Sequence, residues 1–417
     1  MLQYIKRTCD LRNHEMRRVC HPMSPSRRRD AQTVKRDQRP VVIEAMTPYA
    51  KPSPGFPSRV LVALSGGVDS AVAAAILVEQ GYEVVGGMLR LWAEGGPDTA
   101  RANRCCTPEA VDRARRVADR LGIPFDLINT ETIFKSQVVD YFIAEYGAGR
   151  TPNPCIPCNR YIRFGLLLNQ ALASEATFLA TGHYARVRHV AGHYQLLRGR
   201  DPHKDQSYFL HTLTQGQLAH ILFPVGELTK EEVRARARQR GLPVAEQPES
   251  QDICFLAAGD YRRFLAHQVP HLFRPGPIRD TSGRVLGQHQ GLPAYTIGQR
   301  KGLGVTAAEP LYVLAIESAE NALIVGTAKE LGRDECLIEG VHYISEETPT
   351  AAFRATAQIR YRARPTAVTV TPLPDKRAHV RFASPQRDIT PGQFLVLYDG
   401  EVVLGGGDIC KAQESML

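Results

Sequence analysis

The stretch between residues 60 and 70 limits what this chain can fold into more than any other part of the sequence. Residues 60–64 form an aliphatic run typical of a buried parallel strand, which ends at Ser65-Gly66-Gly67. Asp69 and Ser70 then begin an Ala-rich helix that we expect to end at Glu79. Two glycines allow a tight turn and close approach of a ligand, and free N–H groups at a helix start attract anions. The pattern predicts a parallel α/β sheet with an anion-binding loop at a strand end.

The loop sequence Ser-Gly-Gly-Val-Asp-Ser resembles the PP-loop of the ATP pyrophosphatases, which split ATP into AMP and pyrophosphate. A Walker-type phosphate loop is excluded because no Gly-Lys pair occurs in the chain. The other interpretation is an ordinary strand-to-helix turn, although this motif is far more restrictive than a pair of glycines. The resemblance implies that the loop holds the pyrophosphate part of ATP. It also implies that Asp69 helps to place Mg²⁺, which prefers carboxylate and phosphate oxygens.

An alternation of strand and helix patterns extends the sheet beyond this loop. Strands are expected at residues 83–88, 125–128 and 177–180, and helices at residues 107–121, 132–146 and 161–173. A hairpin is expected around Ala191-Gly192, and a capping box of Thr229 with Glu232 predicts a further helix. After about residue 275, short β-branched runs alternate with Gly, Pro and Asp turns, as in an antiparallel barrel. The predicted fold class is α/β: a doubly wound parallel sheet of the adenine nucleotide alpha hydrolase-like type, a small central domain and a C-terminal antiparallel β-barrel.

A chain of 417 residues is too long for one ordinary core, so several domains are expected. We predict a basic, disordered extension at residues 1–57, an ATP-binding catalytic domain at 58–225, a small central domain at 226–280 and the barrel at 281–417. The extension holds twelve Lys/Arg and five Asp/Glu, which leaves only about +2 of the net charge of +9 for the rest of the chain. Because the positive charge lies mostly in the extension, it is weak support for nucleic-acid binding by the body of the protein.

The composition is that of an ordinary globular protein, with 43% hydrophobic and 23% charged residues. The longest aliphatic run, residues 71–78, is far too short to cross a membrane, and residues 1–57 contain no apolar secretory segment. Nine cysteines without regular spacing do not predict a disulfide scaffold. We therefore expect a cytoplasmic protein with no membrane partner, in which some cysteines carry out chemistry.

A Cys-x-x-Cys motif, Cys155 and Cys158, lies between prolines at residues 152, 154 and 157. Prolines at these positions predict a non-helical, exposed turn that presents an accessible thiol. Two other interpretations are open: half of a zinc site completed by Cys105-Cys106 or a histidine, or cysteines that only fill space. Cys254, a single cysteine in a polar stretch, is uninformative alone.

Taken together, several segments resemble the bacterial tRNA-specific 2-thiouridylase family, in register from about residue 58 to residue 407. Besides the loop, they are GMLRLW (87–92), CC (105–106), TPNPCIPCNRYIRFG (151–165), ATGHYAR (180–186), KDQSYFL (204–210), FPVGELTK (223–230), SQDICF (250–255) and YTIGQRKGLG (295–304). The resemblance implies that ATP adenylates the oxygen at C2 of a tRNA wobble uridine, and that sulfur then displaces AMP to leave 2-thiouridine. It further implies a sulfur-donor protein as a partner and a barrel that binds the tRNA stem.

The resemblance also assigns roles to individual residues. Cys158 corresponds to the nucleophilic cysteine and Cys254 to the cysteine that carries a persulfide. ATP would be bound by Ala63, Leu64, Ser65, Gly66, Gly67, Val68, Asp69, Ser70, Met88 and Gly182. The target base would contact Asn153, Pro154 and Cys155. The tRNA would contact His183, Lys204, Asp205, Gln206, Arg360, Tyr361 and Gln393.

Cys155 is a departure, because many members of the family have Asp at this position. Two sulfur-transfer mechanisms are therefore open. In the first, Cys254 carries the extra sulfur, Cys158 assists, and a disulfide forms that must be reduced. In the second, Cys155, Cys158 and Cys254 hold an oxygen-sensitive [4Fe-4S] cluster with one iron free to bind sulfide.

Two other functions compete with this interpretation. One is a PP-loop ligase that adenylates a carboxylate and uses ammonia, in which Cys158 and Cys254 would have no task. The other is a non-catalytic RNA-binding or iron–sulfur sensor protein with a relic loop, which the intact Ser65 and Asp69 argue against. Since the body of the chain has so little net charge, we expect any tRNA contact to use local basic patches.

Deletion of residues 1–57 is predicted to leave the activity intact, because this extension lacks an apolar core pattern. The measurement compares sulfur transfer by the full chain and by a chain that starts at residue 58. A truncated protein that folds but has no activity would contradict the prediction.

Overall fold

The structure is a computed structural model that describes residues 58–94, 107–248, 253–256 and 260–410. The predicted disordered extension, the Cys105-Cys106 pair and residues 250–252 of the SQDICF motif lie outside the described residues. No helix in these described ranges is both long and apolar enough to span a lipid bilayer.

The strands fall into three groups along the chain. The first seven are β1 (Arg59–Ala63), β2 (Glu83–Arg90), β3 (Phe125–Asn129), β4 (Phe178–Ala180), β5 (Ala185–Val190), β6 (His193–Arg198) and β7 (Ile221–Leu222). Four follow as β8 (Gly276–Arg279), β9 (Val285–His289), β10 (Tyr312–Glu317) and β11 (Ala322–Gly326). The last six are β12 (Arg333–Tyr343), β13 (Phe353–Gln358), β14 (Thr366–Leu373), β15 (Arg377–Gln386), β16 (Phe394–Asp399) and β17 (Val402–Ile409).

Helices alternate with the strands of the first group. The longer helical segments are Val68–Glu79, Pro108–Leu121, Glu131–Phe134 with Lys135–Val139 and Asp140–Gly147, Cys155–Pro157 with Cys158–Leu167 and Leu168–Ala173, Lys230–Gln239 and Tyr261–Gln268; the stretches Lys135–Val139 and Cys158–Leu167 are π-helical. Short segments are Ser207–Leu210, Gln215–Leu218, Pro270–Leu272 and Leu292–Ala294. The second helix begins at a cap, since the Thr107 side chain accepts a hydrogen bond from the Ala110 N–H and Pro108 follows it.

The first sheet is parallel, with the strand order β3-β2-β1-β4-β7. The predicted doubly wound sheet is therefore confirmed. The strand order reverses direction between β1 and β4. The loops that follow these two parallel strands therefore lie side by side at the carboxyl end of the sheet. In open α/β sheets this switch point is where ligands bind.

The helix Val68–Glu79 packs on this sheet through small side chains. Its residues Ala71 to Ala75 are almost completely buried, and Val233 and Ala237 of the helix Lys230–Gln239 belong to the same core. The predicted capping box that begins the latter helix is confirmed, with reciprocal bonds between Thr229 and Glu232. The domain boundary at 225/226 stays a prediction, although these contacts tie residues beyond it to the first core.

The remaining strands form a four-stranded sheet and a closed barrel. The sheet has the order β10-β11-β8-β9, and its β8–β11 pair is parallel, so these strands do not belong to an antiparallel barrel. The predicted antiparallel barrel is confirmed for Arg333–Ile409, where the order β12-β15-β14-β13-β16-β17 is closed by pairing of β12 with β17. The predicted hairpin β5–β6 is confirmed, and it joins the barrel because Val402 of β17 pairs with Leu197.

Candidate functional site

A cavity of about 550 Å³ lies at the switch point of the parallel sheet. It is lined by the loop residues 63–70, by all three cysteines of the predicted sulfur chemistry, by other residues between Met88 and Pro248, and by Tyr361 and Arg362. The predicted nucleotide residues Met88 and Gly182 also line it. The structure thus brings the predicted phosphate loop and the predicted thiols to one cavity, while their functional roles stay predictions.

The loop between β1 and its helix is held in shape by its own hydrogen bonds. The Ser70 hydroxyl donates to the Gly67 carbonyl at 3.1 Å and accepts from the Ser65 N–H at 3.2 Å. Gly66 has a φ of +70°, and a Cβ there would lie 2.6 Å from the Ala110 carbonyl oxygen, so glycine is required. Among the described residues, no side chain caps the following helix, so its first N–H groups remain suited to an anion.

The loop after β4 packs directly on the loop after β1. A Cβ on Gly182 would lie 2.6 Å from the Ser70 amide nitrogen, a distance that no side chain tolerates. Only glycine allows the two loops to come this close. The ATGHYAR segment thereby forms one wall of the cavity, to which it contributes residues 181–184. Met88, which is 2% exposed, also lines the cavity.

Asp69 is paired with a buried lysine that sequence reasoning left without a role. Lys230 donates from Nζ to both Asp69 carboxylate oxygens at 2.7 and 2.9 Å, and the Tyr184 hydroxyl donates to Oδ1 at 2.8 Å. Lys230 ends the FPVGELTK segment and occupies the first turn of its helix. Its position in that motif was the available signal, but only the tertiary structure reveals its ion pair with Asp69.

This arrangement fits the predicted Mg²⁺ site. Oδ2 of Asp69 accepts one bond, from Lys230, which leaves acceptor capacity toward the cavity. Mg²⁺ is commonly held by one or two protein carboxylates together with substrate phosphates. Asp69 would supply such a carboxylate, and the metal's other ligands would come from a bound nucleotide and water.

The Cys-x-x-Cys segment is helical, so the predicted non-helical turn is wrong, whereas the predicted exposure is confirmed for Cys155 and wrong for Cys158. Pro154 is the N-cap and Pro157 lies in the first turn, where an N–H has no partner within the helix and proline is tolerated. The helical geometry exposes Cys155 and buries Cys158. Cys158 belongs to an apolar cluster with Phe255, and Cys254 packs against that cluster.

The three thiols line one cavity without forming a metal site. Within the described ranges, no group of three or more His, Cys, Asp or Glu side chains converges closely enough to hold a metal ion. The iron–sulfur cluster held by Cys155, Cys158 and Cys254 therefore stays a prediction. The half-zinc interpretation involved Cys105 and Cys106, which lie outside the described residues.

The predicted base-contacting residues lie at the start of this helix. The Asn153 side chain accepts a hydrogen bond from the Cys155 N–H at 3.2 Å, which orients the turn that contains Pro154. Thr151, two residues earlier, is held from outside: its N–H donates to the Pro391 carbonyl, and its carbonyl accepts from Gln393 Nε2 at 2.7 Å. Gln393, predicted to contact tRNA, thus fixes the segment in front of the cysteines.

His183 is buried at the cavity wall and is held neutral. Burial, aided by the positive charge of Arg163, lowers the pKa of His183 to about 3. Its Nδ1 lies 2.7 Å from the Thr181 hydroxyl, and its Nε2 lies 3.3 Å from Arg163. A neutral imidazole contributes hydrogen bonds and stacking to the cavity but no positive charge for a phosphate.

The other predicted tRNA residues fall into two groups. Lys204, Gln206 and Tyr361 line the cavity. Asp205 instead organises its own turn, since its carboxylate accepts from Arg198 at 2.8 Å and from backbone N–H groups. Arg360 donates to the Ile297 carbonyl at 3.3 Å and lies in the barrel beside Tyr361.

Comparison with known proteins adds three matching family profiles. They are described as a tRNA methyl transferase HUP domain over residues 58–258, a tRNA methyl transferase PRC-barrel domain over residues 262–327 and an aminomethyltransferase beta-barrel domain over residues 333–409. Together they span the parallel sheet, the four-stranded sheet and the barrel.

Individual relatives match over most of their length. The tRNA-specific 2-thiouridylase MnmA of Magnetococcus marinus is 51% identical over 352 residues, which cover 84% of this chain and 98% of the relative. The protein of the same name from Moorella thermoacetica is 52% identical over 351 residues, with the same coverage. A solved 4-thiouridine synthetase–RNA complex with bound ATP overlaps 51% of this chain and 50% of that chain, with 18% identity and a TM-score of 0.32, which is too low to carry an argument.

The buried, neutral His183 predicts a loss of stability in acid. The unfolded chain binds a proton at His183 near pH 6.5, whereas the folded chain does so only near pH 3, so the free energy of unfolding falls as pH decreases from 6.5. His183→Gln should reduce the slope of this free energy between pH 6.5 and 5 by up to about 1.4 kcal/mol per pH unit. Urea unfolding at several pH values measures the slope, with exposed His203→Gln as the control. An unchanged slope in His183→Gln would show that the histidine is protonated in the folded state.

Proposed function

The chain belongs to the tRNA-specific 2-thiouridylase family, and on that premise we propose how its cavity replaces the C2 oxygen of a tRNA wobble uridine with sulfur. The observation that carries the proposal is the shared cavity: the Ser65–Ser70 loop, Cys158 and Cys254 all line it. A reaction in which one carbonyl is first adenylated and then attacked by sulfur needs both sets of groups around the same atom.

The loop half of the cavity binds ATP. The N–H groups at the start of the helix Val68–Glu79 and the Ser65 hydroxyl face the phosphates, and Met88 and Gly182 lie on the adenosine side. Mg²⁺, held by Asp69 and phosphate oxygens, would neutralise the phosphate charge. Lys230 adds a second positive charge next to Asp69, suited to stabilising the pyrophosphate that leaves.

Adenylation converts a poor leaving group into a good one. The C2 oxygen of uracil attacks the α-phosphorus of ATP, pyrophosphate departs and N3 of the base loses its proton. The product is a base whose C2 oxygen leaves as AMP. The positive charges of Lys230 and Lys204 line the same cavity as the loop and favour this build-up of negative charge on the phosphates.

Cys254 and Cys158 complete the sulfur transfer. A donor protein leaves a persulfide on Cys254, and its terminal sulfur attacks C2 and expels AMP, which gives a C2–S–S–Cys254 bond. The Cys158 thiolate then attacks the Cys254 sulfur, the S–S bond to the base breaks and N3 regains a proton. The product is 2-thiouridine with a Cys158–Cys254 disulfide, which a cellular thiol reduces. Contact of both cysteines with one apolar cluster supports their close approach.

We take the persulfide version over the cluster version, because no group of three metal ligands forms among the described residues. Cys155 then lies beside the target base rather than on iron, at the exposed start of the helix. Anaerobic purification with iron and acid-labile sulfide analysis separates the two versions. The cluster version requires iron in active protein.

The target uridine reaches the cavity as an unstacked base. Wobble uridines lie in the anticodon loop, where a base can be splayed out without opening a duplex. Asn153 to Cys155 lie next to the nucleophilic cysteine, and Tyr361, Lys204 and Gln206 line the wall through which the strand would enter. The neutral His183 is suited to a hydrogen bond in that wall.

Nucleoside analysis of bulk tRNA tests the proposed function. A strain without this protein should lack 2-thiouridine, and the wild-type chain should restore it. Cys254→Ser should restore none because no sulfur is carried, and Cys158→Ser should reduce the content at least about 100-fold because its nucleophile is lost.

The matched control is Cys410→Ser, since Cys410 lies at the end of β17 and does not line the cavity. It should restore normal 2-thiouridine. Normal 2-thiouridine in the deletion strain, or in the strain with Cys254→Ser, would overturn the proposal.

A further inference from the structure

A second cavity of about 500 Å³ lies in the barrel next to the first. Its lining includes four arginines: Arg360, Arg362, Arg364 and Arg387. We propose that Arg362, Arg364 and Arg387 bind the backbone phosphates of the RNA strand that delivers the target uridine. The inference rests on the proposed function, because it takes the substrate of the first cavity to be RNA.

The pocket concentrates positive charge in a body, residues 58–417, whose net charge is only about +2. Asp388 is the one acidic residue among its lining side chains, against four arginines. Within the described ranges, no carboxylate lies within ion-pair distance of Arg362, Arg364 or Arg387, all three of which are exposed. Arg150 and Arg198, by comparison, are paired with Glu145 and Asp205. Unpaired guanidinium groups on one surface are what a polyanion recognises.

Aromatic rings hold two of these arginines in place. The Arg362 guanidinium lies 5.3 Å from the centre of the Tyr361 ring, and that of Arg387 lies 5.1 Å from the centre of the Tyr312 ring. A guanidinium at this distance from a ring makes a cation–π contact, and its N–H donors remain available to phosphate oxygens. Holding the side chains in advance reduces the entropy lost when RNA binds.

The backbone of the pocket is also unusual. Arg362 has a φ of +65° and Asp388 has the same value, a left-handed conformation that costs a non-glycine residue about 1 kcal/mol or more. Such residues cluster at functional sites. Their strained turns place the exposed arginines around one opening.

The position of the pocket favours an RNA strand over other anions. Tyr361 and Arg362 line both cavities, so the two are continuous. When a base lies in the first cavity, its neighbouring phosphates must pass over this shared rim. Residues 58–417 carry a net charge of only about +2, so a wholly basic face is absent from the prediction for this part of the chain. Phosphate contacts are then expected to be concentrated in a local patch such as this one.

The test measures binding of an unmodified tRNA transcript to the full chain as salt is varied from about 50 to 300 mM. The double variant Arg364→Gln/Arg387→Gln should bind roughly tenfold more weakly near 150 mM salt, and the slope of log K against log salt should be shallower by about 1.5, since each lost phosphate contact contributes about 0.7–0.9. ATP affinity and the melting temperature should not change, because neither arginine lines the nucleotide cavity.

Arg354→Gln is the matched control, an exposed arginine of the barrel strand β13 that lines neither cavity. It should change tRNA affinity less than about twofold and leave the slope as it is. Wild-type affinity and slope in the double variant would overturn the inference.

The outcomes separate this inference from the proposed function. If the wild type forms 2-thiouridine and the double variant binds tRNA normally, only the phosphate pocket is wrong. If the wild type does not bind tRNA at all, the proposed function also fails. If the double variant binds tRNA normally but loses activity only with a protein sulfur donor, and not with a chemical persulfide donor, the pocket binds an acidic segment of the donor instead.

Discussion

The candidate site depends on the close packing of two loops at the switch point of the parallel sheet. The absent side chain at Gly182 allows the loop after β4 to touch the Ser70 amide, and Gly66 allows the loop after β1 to turn against Ala110. A side chain at Gly182 would push the two loops apart, and a side chain at Gly66 would push the loop after β1 away from the helix Pro108–Leu121. The Ser65–Ser70 loop and the loop that contains His183 are thereby packed against each other. Preorganisation of this kind lowers the cost of holding charged groups in a reactive geometry.

Other parts of the chain are fastened to this centre by a few buried polar contacts. Lys230 joins its helix to Asp69, so the second half of the first core is tied to the loop. Thr151 joins the cysteine segment to segments that precede strands of the other two sheets, since its hydroxyl contacts Thr296 and its main chain contacts Pro391 and Gln393. The thiols thus owe their position to residues far away in sequence. Substitutions in the barrel can therefore affect sulfur chemistry without touching the base or the nucleotide.

Local sequence patterns were sufficient for much of the fold and for the strand, turn and helix that form the Ser65–Ser70 loop. The strand, the glycine turn and the helix around Ser65–Ser70 follow from short-range chemistry, and so do the Thr107 cap and the Thr229 capping box. The helical state of Cys155–Pro157 was missed because the prolines suggest a break, whereas their position in the first turn makes them compatible with a helix. The pairing of Lys230 with Asp69, the neutral state of His183 and the parallel β8–β11 pair arise from residues distant in sequence. No local pattern specifies such contacts.

The central claim is that Cys158 and Cys254 act on the same carbonyl that the loop-bound nucleotide activates. A single turnover tests it most directly, with persulfide-loaded protein, ATP and tRNA, no added reductant, and mass spectrometry of the quenched protein beside nucleoside analysis. The account predicts about one Cys158–Cys254 disulfide for each 2-thiouridine formed. Formation of 2-thiouridine while both thiols remain free would contradict it.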